Sequence, residues 1–165
     1  MRFSICLAAT LWLAGCADPA RSPFDPAAAA FIHDHGEGVL EGHAFAVNQL
    51  GSTINAAGQR IYLYPATPYV RERFARQFFG GHDLPSWVPD LYSEDPFLRD
   101  YVRTTVADAG GLFRFDGLVP GTYVVMTQVS WQLDSRLLPD GKRMFETVMV
   151  TGNETKPVRV ILAGT

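Results

Sequence analysis

Residues 104 to 131, TTVADAGGLFRFDGLVPGTYVVMTQVSW, constrain the fold more than any other stretch, because two alternating runs sit there between well-marked turns. Phe113 and Phe115 fall on one face of an extended chain, with Leu112, Arg114 and Asp116 on the other, the period of two that marks a half-buried strand. Ahead of them stands Asp108-Ala109-Gly110-Gly111. Asp can accept hydrogen bonds from the backbone that follows it, and Gly takes positive φ without a Cβ clash, as a tight strand connection needs. After Leu118, Pro120-Gly121 suits the two central positions of a type II turn, and residues 123 to 131 return as the next strand. The expectation is a pair of β-hairpins at the centre of a sheet, with Phe113, Phe115, Leu118, Tyr123 and Val125 in the core.

The same residues carry a resemblance. Thr105, Asp108, Gly111, Phe113, Phe115, Gly117, Leu118, Pro120, Gly121, Tyr123 and Val125 spell a pattern that resembles the carboxypeptidase regulatory-like domain. The likeness extends more weakly over residues 42 to 63 and 148 to 162, leaving out an insert at 67 to 101. It implies an all-β, seven-stranded, Ig-like or prealbumin-like sandwich, and an accessory or adhesive module without peptidase activity. Fold carries function poorly, so the sites need their own argument.

At 165 residues, with 47% hydrophobic and 19% charged side chains, the chain suffices for one domain with a real core. Residues 1 to 15 form a candidate lipoprotein signal peptide, with Arg2 before an apolar run too short to span a bilayer. Leu13-Ala14-Gly15-Cys16 resembles the bacterial lipobox, which makes Cys16 the lipidated first residue of the mature protein. Cys6 is then lost with the signal, and no disulfide can form within the mature chain. Ala17, not Asp, follows the Cys, which by the same resemblance directs the protein to the outer membrane, facing the periplasm. Residues 16 to 36, rich in Ala, Pro and Asp, are expected to be the lipidated tether, with a short helix begun at Asp25-Pro26 if Phe31 and Ile32 dock. The mature part holds 13 basic and 17 acidic residues, a balance that argues against a nucleic-acid partner.

Residues 37 to 165 are expected to be the sandwich. Strands are predicted over 39 to 47, 60 to 64 with Ile61 and Leu63 inward and Tyr62 and Tyr64 outward, 145 to 150 and 158 to 162, besides those of the central stretch, seven in all. Leu40, Gly42 and Ala44 share one face of the first, and Val39, His43, Phe45 and Val47 the other, so its inward side stays open. In the insert, Thr67-Pro68 can cap a helix whose Val70, Phe74 and Phe78 recur every four residues, ended by Gly80-Gly81. Arg71, Arg73 and Arg76 fall away from that apolar stripe and predict a solvent-facing basic strip. A long loop with Trp87 and Tyr92 follows.

No catalytic, cofactor or metal site stands out. His33 and His35 lie on one side of an extended segment, with His43 and His82 as further candidate ligands, yet no zinc spacing accompanies them. His35-Gly36-Glu37 lacks the P-C-x-x-C half of a deaminase signature. Neither a G-x-S-x-G elbow nor a phosphate-cradling loop occurs, and Glu94-Asp95 read as solvated. The expected function is a non-catalytic structural or interaction module of the cell envelope, with an envelope protein or glycan as partner through the insert. The alternative is a glycan-binding module using Trp87, Tyr92, Tyr101 and Trp131, since sugar rings stack on aromatic faces. Cys16→Ala is expected to move the protein out of the membrane fraction. Retention in the membrane pellet after a high-salt wash would overturn the lipobox reading.

Overall fold

The computed structural model describes residues 22–92, 94–132 and 140–165. Cys16, the signal segment and the first part of the tether lie outside them. The elements run, in chain order, α1 (Pro26–Ala29) with a 3-10 turn (Ala30–His33), β1 (Gly38–Val47), β2 (Thr53–Asn55), β3 (Arg60–Pro65), α2 (Pro68–Gln77) and β4 (Asp83–Pro85). A second 3-10 turn (Pro96–Tyr101) leads into β5 (Arg103–Val106), β6 (Leu112–Leu118), β7 (Gly121–Trp131), β8 (Asp140–Val150) and β9 (Val158–Gly164). The architecture is the expected all-β sandwich. All seven predicted strands are present, and β2 and β4, each three residues long, raise the number among the described residues to nine.

One sheet centres on β1, which pairs β2 and β6 antiparallel and β9 parallel; the other runs β4-β8-β7-β3-β5. The two expected hairpins are not hairpins. β5 pairs β3 in the second sheet, β6 pairs β1 in the first, and β7 pairs β3 and β8 in the second. The chain therefore crosses the sandwich at both turns. Alternation tells which side chains point inward but not which sheet holds the strand, so a crossing and a hairpin look alike in sequence. Phe113, Phe115 and Leu118 consequently face Tyr123, Val125 and Val129 across the core.

At the first crossing the expected turn chemistry holds. Asp108 Oδ1 accepts from the amides of Gly110 and Leu112, both at 2.8 Å, and Gly111 takes φ +79°. The second crossing differs from the expected type II turn. Gly117 at φ +68° takes the left-handed conformation, not Gly121, because Gly121 already pairs Val150 in β7 and carries the Phe31 ring, which a Cβ there would meet at 2.9 Å. Tyr123 Oη donates to Val119 O at 2.8 Å and ties strand to corner, the role of a tyrosine corner in Ig-like sandwiches. Burial raises the pKa of that phenol, keeping it a donor.

The open question about β1 is settled by size. Leu40, Ala44 and Ala46 face inward and are fully buried. Gly42 opposes Phe113 on β6, where a Cβ would lie 2.1 Å from the ring. Small residues on β1 make room for the two rings of β6.

The folded body starts earlier than residue 37. Asp25 caps α1 by accepting from Ala27 N at 2.9 Å. Ala29 and Ile32 are buried, Phe31 meets Tyr123 edge to face, and Phe24 packs against Tyr69 and Tyr101. Residues 22–36 are thus part of the domain, not a solvated tether.

The five predicted core residues are all 5% exposed or less. Phe113→Ala leaves a cavity between the sheets and is expected to cost about 3–5 kcal/mol, read as a lowered urea midpoint at unchanged slope. A loss under about 1 kcal/mol would mean that the ring is not a core element.

Candidate functional site

The site is built on the outer face of the second sheet. Thr67 Oγ1 accepts from Val70 N at 3.3 Å and Pro68 takes the first helical position, so α2 starts where the sequence places it. Val70, Phe74 and Phe78 are buried. Phe74 meets Tyr64 and Phe145 edge to face at 5.3 and 5.0 Å, and Phe78 meets Phe145 at 4.6 Å. The helix ends at Gln77, three residues ahead of the expected Gly80. Phe79 itself takes φ +53° with its ring exposed, ahead of Gly80 at φ +78°, a left-handed backbone that costs a bulky residue about 1–2 kcal/mol.

Ten residues of helix reach about 15 Å, which covers Tyr64, Val124 and Phe145 but not the rest of the face. Beyond the helix edge lie Arg60 and Tyr62 of β3, Met126 and Gln128 of β7, and Arg143 of β8. They floor a cleft of about 730 Å³, within the range of small-molecule sites. Phe74, Gln77 and Phe78 form the wall on the helix side, and Asp90, Glu94 and Arg99 of the insert line it as well.

Among the described residues, four side chains anchor the insert loop. Gln77 Nε2 donates to Pro89 O at 3.0 Å while its Oε1 accepts from Leu91 N at 2.9 Å. Arg143 donates to Val88 O and to Asp90 Oδ1. Arg73 pairs Glu94 at 3.0 Å, and Tyr69 Oη accepts from Asp95 N at 2.7 Å. These contacts satisfy backbone groups that a free loop would leave to water.

On the floor, Tyr62 and Tyr64 stack with ring centres 6.3 Å apart and planes 27° apart. Burial, reinforced by the Glu94 carboxylate, pushes the Tyr64 phenol far above its ordinary pKa, so it stays neutral. Tyr62 is only half buried and carries aromatic surface to the cleft. Four guanidiniums, of Arg60, Arg73, Arg99 and Arg143, line the cleft against two carboxylates, both of which are paired. An aromatic face ringed by amide and guanidinium donors suits a ring that is apolar on its face and rich in oxygen at its rim.

The aromatics singled out in the sequence do not form a platform. Trp87 is 73% exposed beyond β4. Tyr92 lies under the Arg76 guanidinium, 4.2 Å from its ring centre. Tyr101 packs on Phe24 and His33. Trp131 sits at the far end of β7 against the inner core. The expected basic strip does not form: Arg71 is exposed, but Arg73 and Arg76 are drawn to Glu94 and Glu72. The histidines are dispersed, His33 on Tyr101, His43 beside Asn55 and His82 against Glu146, and no metal-holding cluster occurs among the described residues. Tyr62 and Tyr64 were legible as outward-facing in a predicted strand. Gln77 and Arg143, which hold the loop, carry no signal in sequence.

No family model matches this chain, and no curated protein does. Among solved structures it is similar to a putative carbohydrate binding protein from Pseudomonas aeruginosa, with a TM-score of 0.71 and 26% identity over 86% of this chain and 98% of that one. A minor pilin of Streptococcus agalactiae is a more distant likeness, with a TM-score of 0.38 and 18% identity over 80% of this chain and 46% of that one.

Gln77→Ala removes both loop anchors of that side chain without harming the helix. We expect limited proteolysis within residues 86–95 to quicken markedly, while global stability falls by about 1–3 kcal/mol, the worth of two hydrogen bonds. Unchanged cleavage would show that the arginine and Tyr69 contacts suffice to hold the loop.

Proposed function

We propose that this protein is a non-catalytic carbohydrate-binding module and that the cleft beside α2 is where the sugar docks. The observation that carries the reading is Tyr62, its ring on the floor of a 730 Å³ cleft rimmed by amide and guanidinium donors. Rings with apolar faces stack on such surfaces while their hydroxyls take hydrogen bonds from the rim. The similarity to the Pseudomonas protein, which spans 86% of this chain and 98% of that one, supports the same reading. Both carboxylates of the cleft are engaged by guanidiniums, an arrangement for binding rather than acid-base chemistry.

In this reading Cys16 carries the lipid, and the domain stands on the periplasmic side of the outer membrane, within reach of envelope or imported glycans. The motif at 105 to 125 keeps the carboxypeptidase regulatory-like family as our proposed lineage. A structural or protein-interaction module is the second reading, favoured by Phe79, Trp87 and Phe97, three exposed rings on the insert.

Tyr62→Ala is expected to weaken glycan binding about tenfold or more, measured by calorimetric titration or affinity electrophoresis in polysaccharide gels. Trp87→Ala should leave binding unchanged. The reverse outcome, with Trp87 needed and Tyr62 dispensable, would move the site onto the exposed loop and refute the cleft.

A further inference from the structure

Charge inside the cleft points to what kind of glycan it takes. The protein as a whole is acidic, with a formal net charge of −3. Its cleft is the opposite: two of the four lining guanidiniums balance Asp90 and Glu94, and those of Arg60 and Arg99 meet no carboxylate among the described residues. The two come from different walls. Arg60 opens β3 on the floor, next to Gln128 of β7, whereas Arg99 stands in the 3-10 turn of the insert. An arginine pair left over on an acidic body, facing one cleft, is a local reversal that composition does not require.

The paired arginines are also fixed in place. Arg73 and Arg143 have side chains only 13% exposed, and each is oriented by its carboxylate. In each, Nε is buried without a hydrogen-bond partner among the described residues. Arg73 and Arg143 therefore hold the cleft's wall in shape before any ligand arrives, which lowers the cost of binding.

We propose that the cleft selects an anionic glycan, a polysaccharide whose sugars carry carboxylate or sulfate groups. Tyr62 stacks on a ring, and Arg60 and Arg99 take the acidic substituents. Planar guanidiniums match carboxylate and sulfate oxygens through two parallel hydrogen bonds. The inference rests on the carbohydrate-binding reading and narrows it. Field lines from the cleft also steer such a chain towards it past an otherwise acidic surface.

The test is titration of the full-length protein with three soluble probes of similar chain length: a polyuronate, a sulfated polysaccharide and a neutral glucan. Binding of the polyuronate or the sulfated chain well above the glucan is expected, and which of the two binds better identifies the acidic group. The R60Q/R99Q double variant should lose about tenfold or more of that affinity, the scale of one charge-assisted hydrogen bond. Wild-type binding should also weaken steeply as salt rises from about 0.05 to about 1 M, where the screening length falls to about 3 Å. Glucan bound as tightly as the acidic chains, or a double variant that binds them normally, would overturn the charge selection while leaving a neutral sugar site standing. Failure of all three probes would overturn the sugar site as well.

Discussion

Everything distinctive about this domain follows from the need of its second sheet to bury both faces. Inward, Tyr123, Val125 and Val129 of β7 close the core between the sheets; outward, Val124 and Phe145 are also apolar and cannot be left to water. The helix of the insert answers that need. Phe74 and Phe78 set their rings against Tyr64 and Phe145, and the burial of several large side chains, about 1.5–3 kcal/mol each, makes the insert a structural layer of the fold.

That layer is narrower than the sheet. Where α2 ends and the outer face continues, the side chains change from Val124 and Phe145 to Arg60, Gln128 and Arg143, polar groups that accept solvent. The cleft is the step between the two. Its far side is not free to wander, since Gln77, Arg73, Tyr69 and Arg143 each hold a point of the loop. A site on a sheet floor with a tethered wall keeps its geometry better than a site on a loop alone.

Inside the sandwich the governing constraint is volume. Phe113 and Phe115 project from β6 onto a strand of Gly42, Ala44 and Ala46, and the parallel addition of β9 to that strand supplies Val160 and Leu162 beside them. Interiors are packed close to crystal density, so two rings demand small neighbours. Gly42 meets that demand by lacking a Cβ.

Alternation, turn residues and caps are local, and the sequence alone determined them: the seven long strands, the Asp108 turn, the Thr67 cap and the apolar stripe of α2 all follow from neighbours a few residues apart. Which sheet a strand joins is a matter of partners far along the chain, so the crossings at Asp108 and Pro120 were decided only in the tertiary structure. The same holds for Gly121, whose conformation is set by Val150 and Phe31, and for the N-terminal segment, which docks because Phe24 and Ile32 find apolar partners. The site divides likewise. The outward direction of Tyr62 was readable from the period of β3, but a cleft is a relation between β3, α2 and a loop 30 residues on, and no local pattern encodes it. Arg73 looked like part of a solvated strip for that reason: its acid, Glu94, is brought to it by the fold, whereas Arg76 pairs Glu72 one turn away on its own helix.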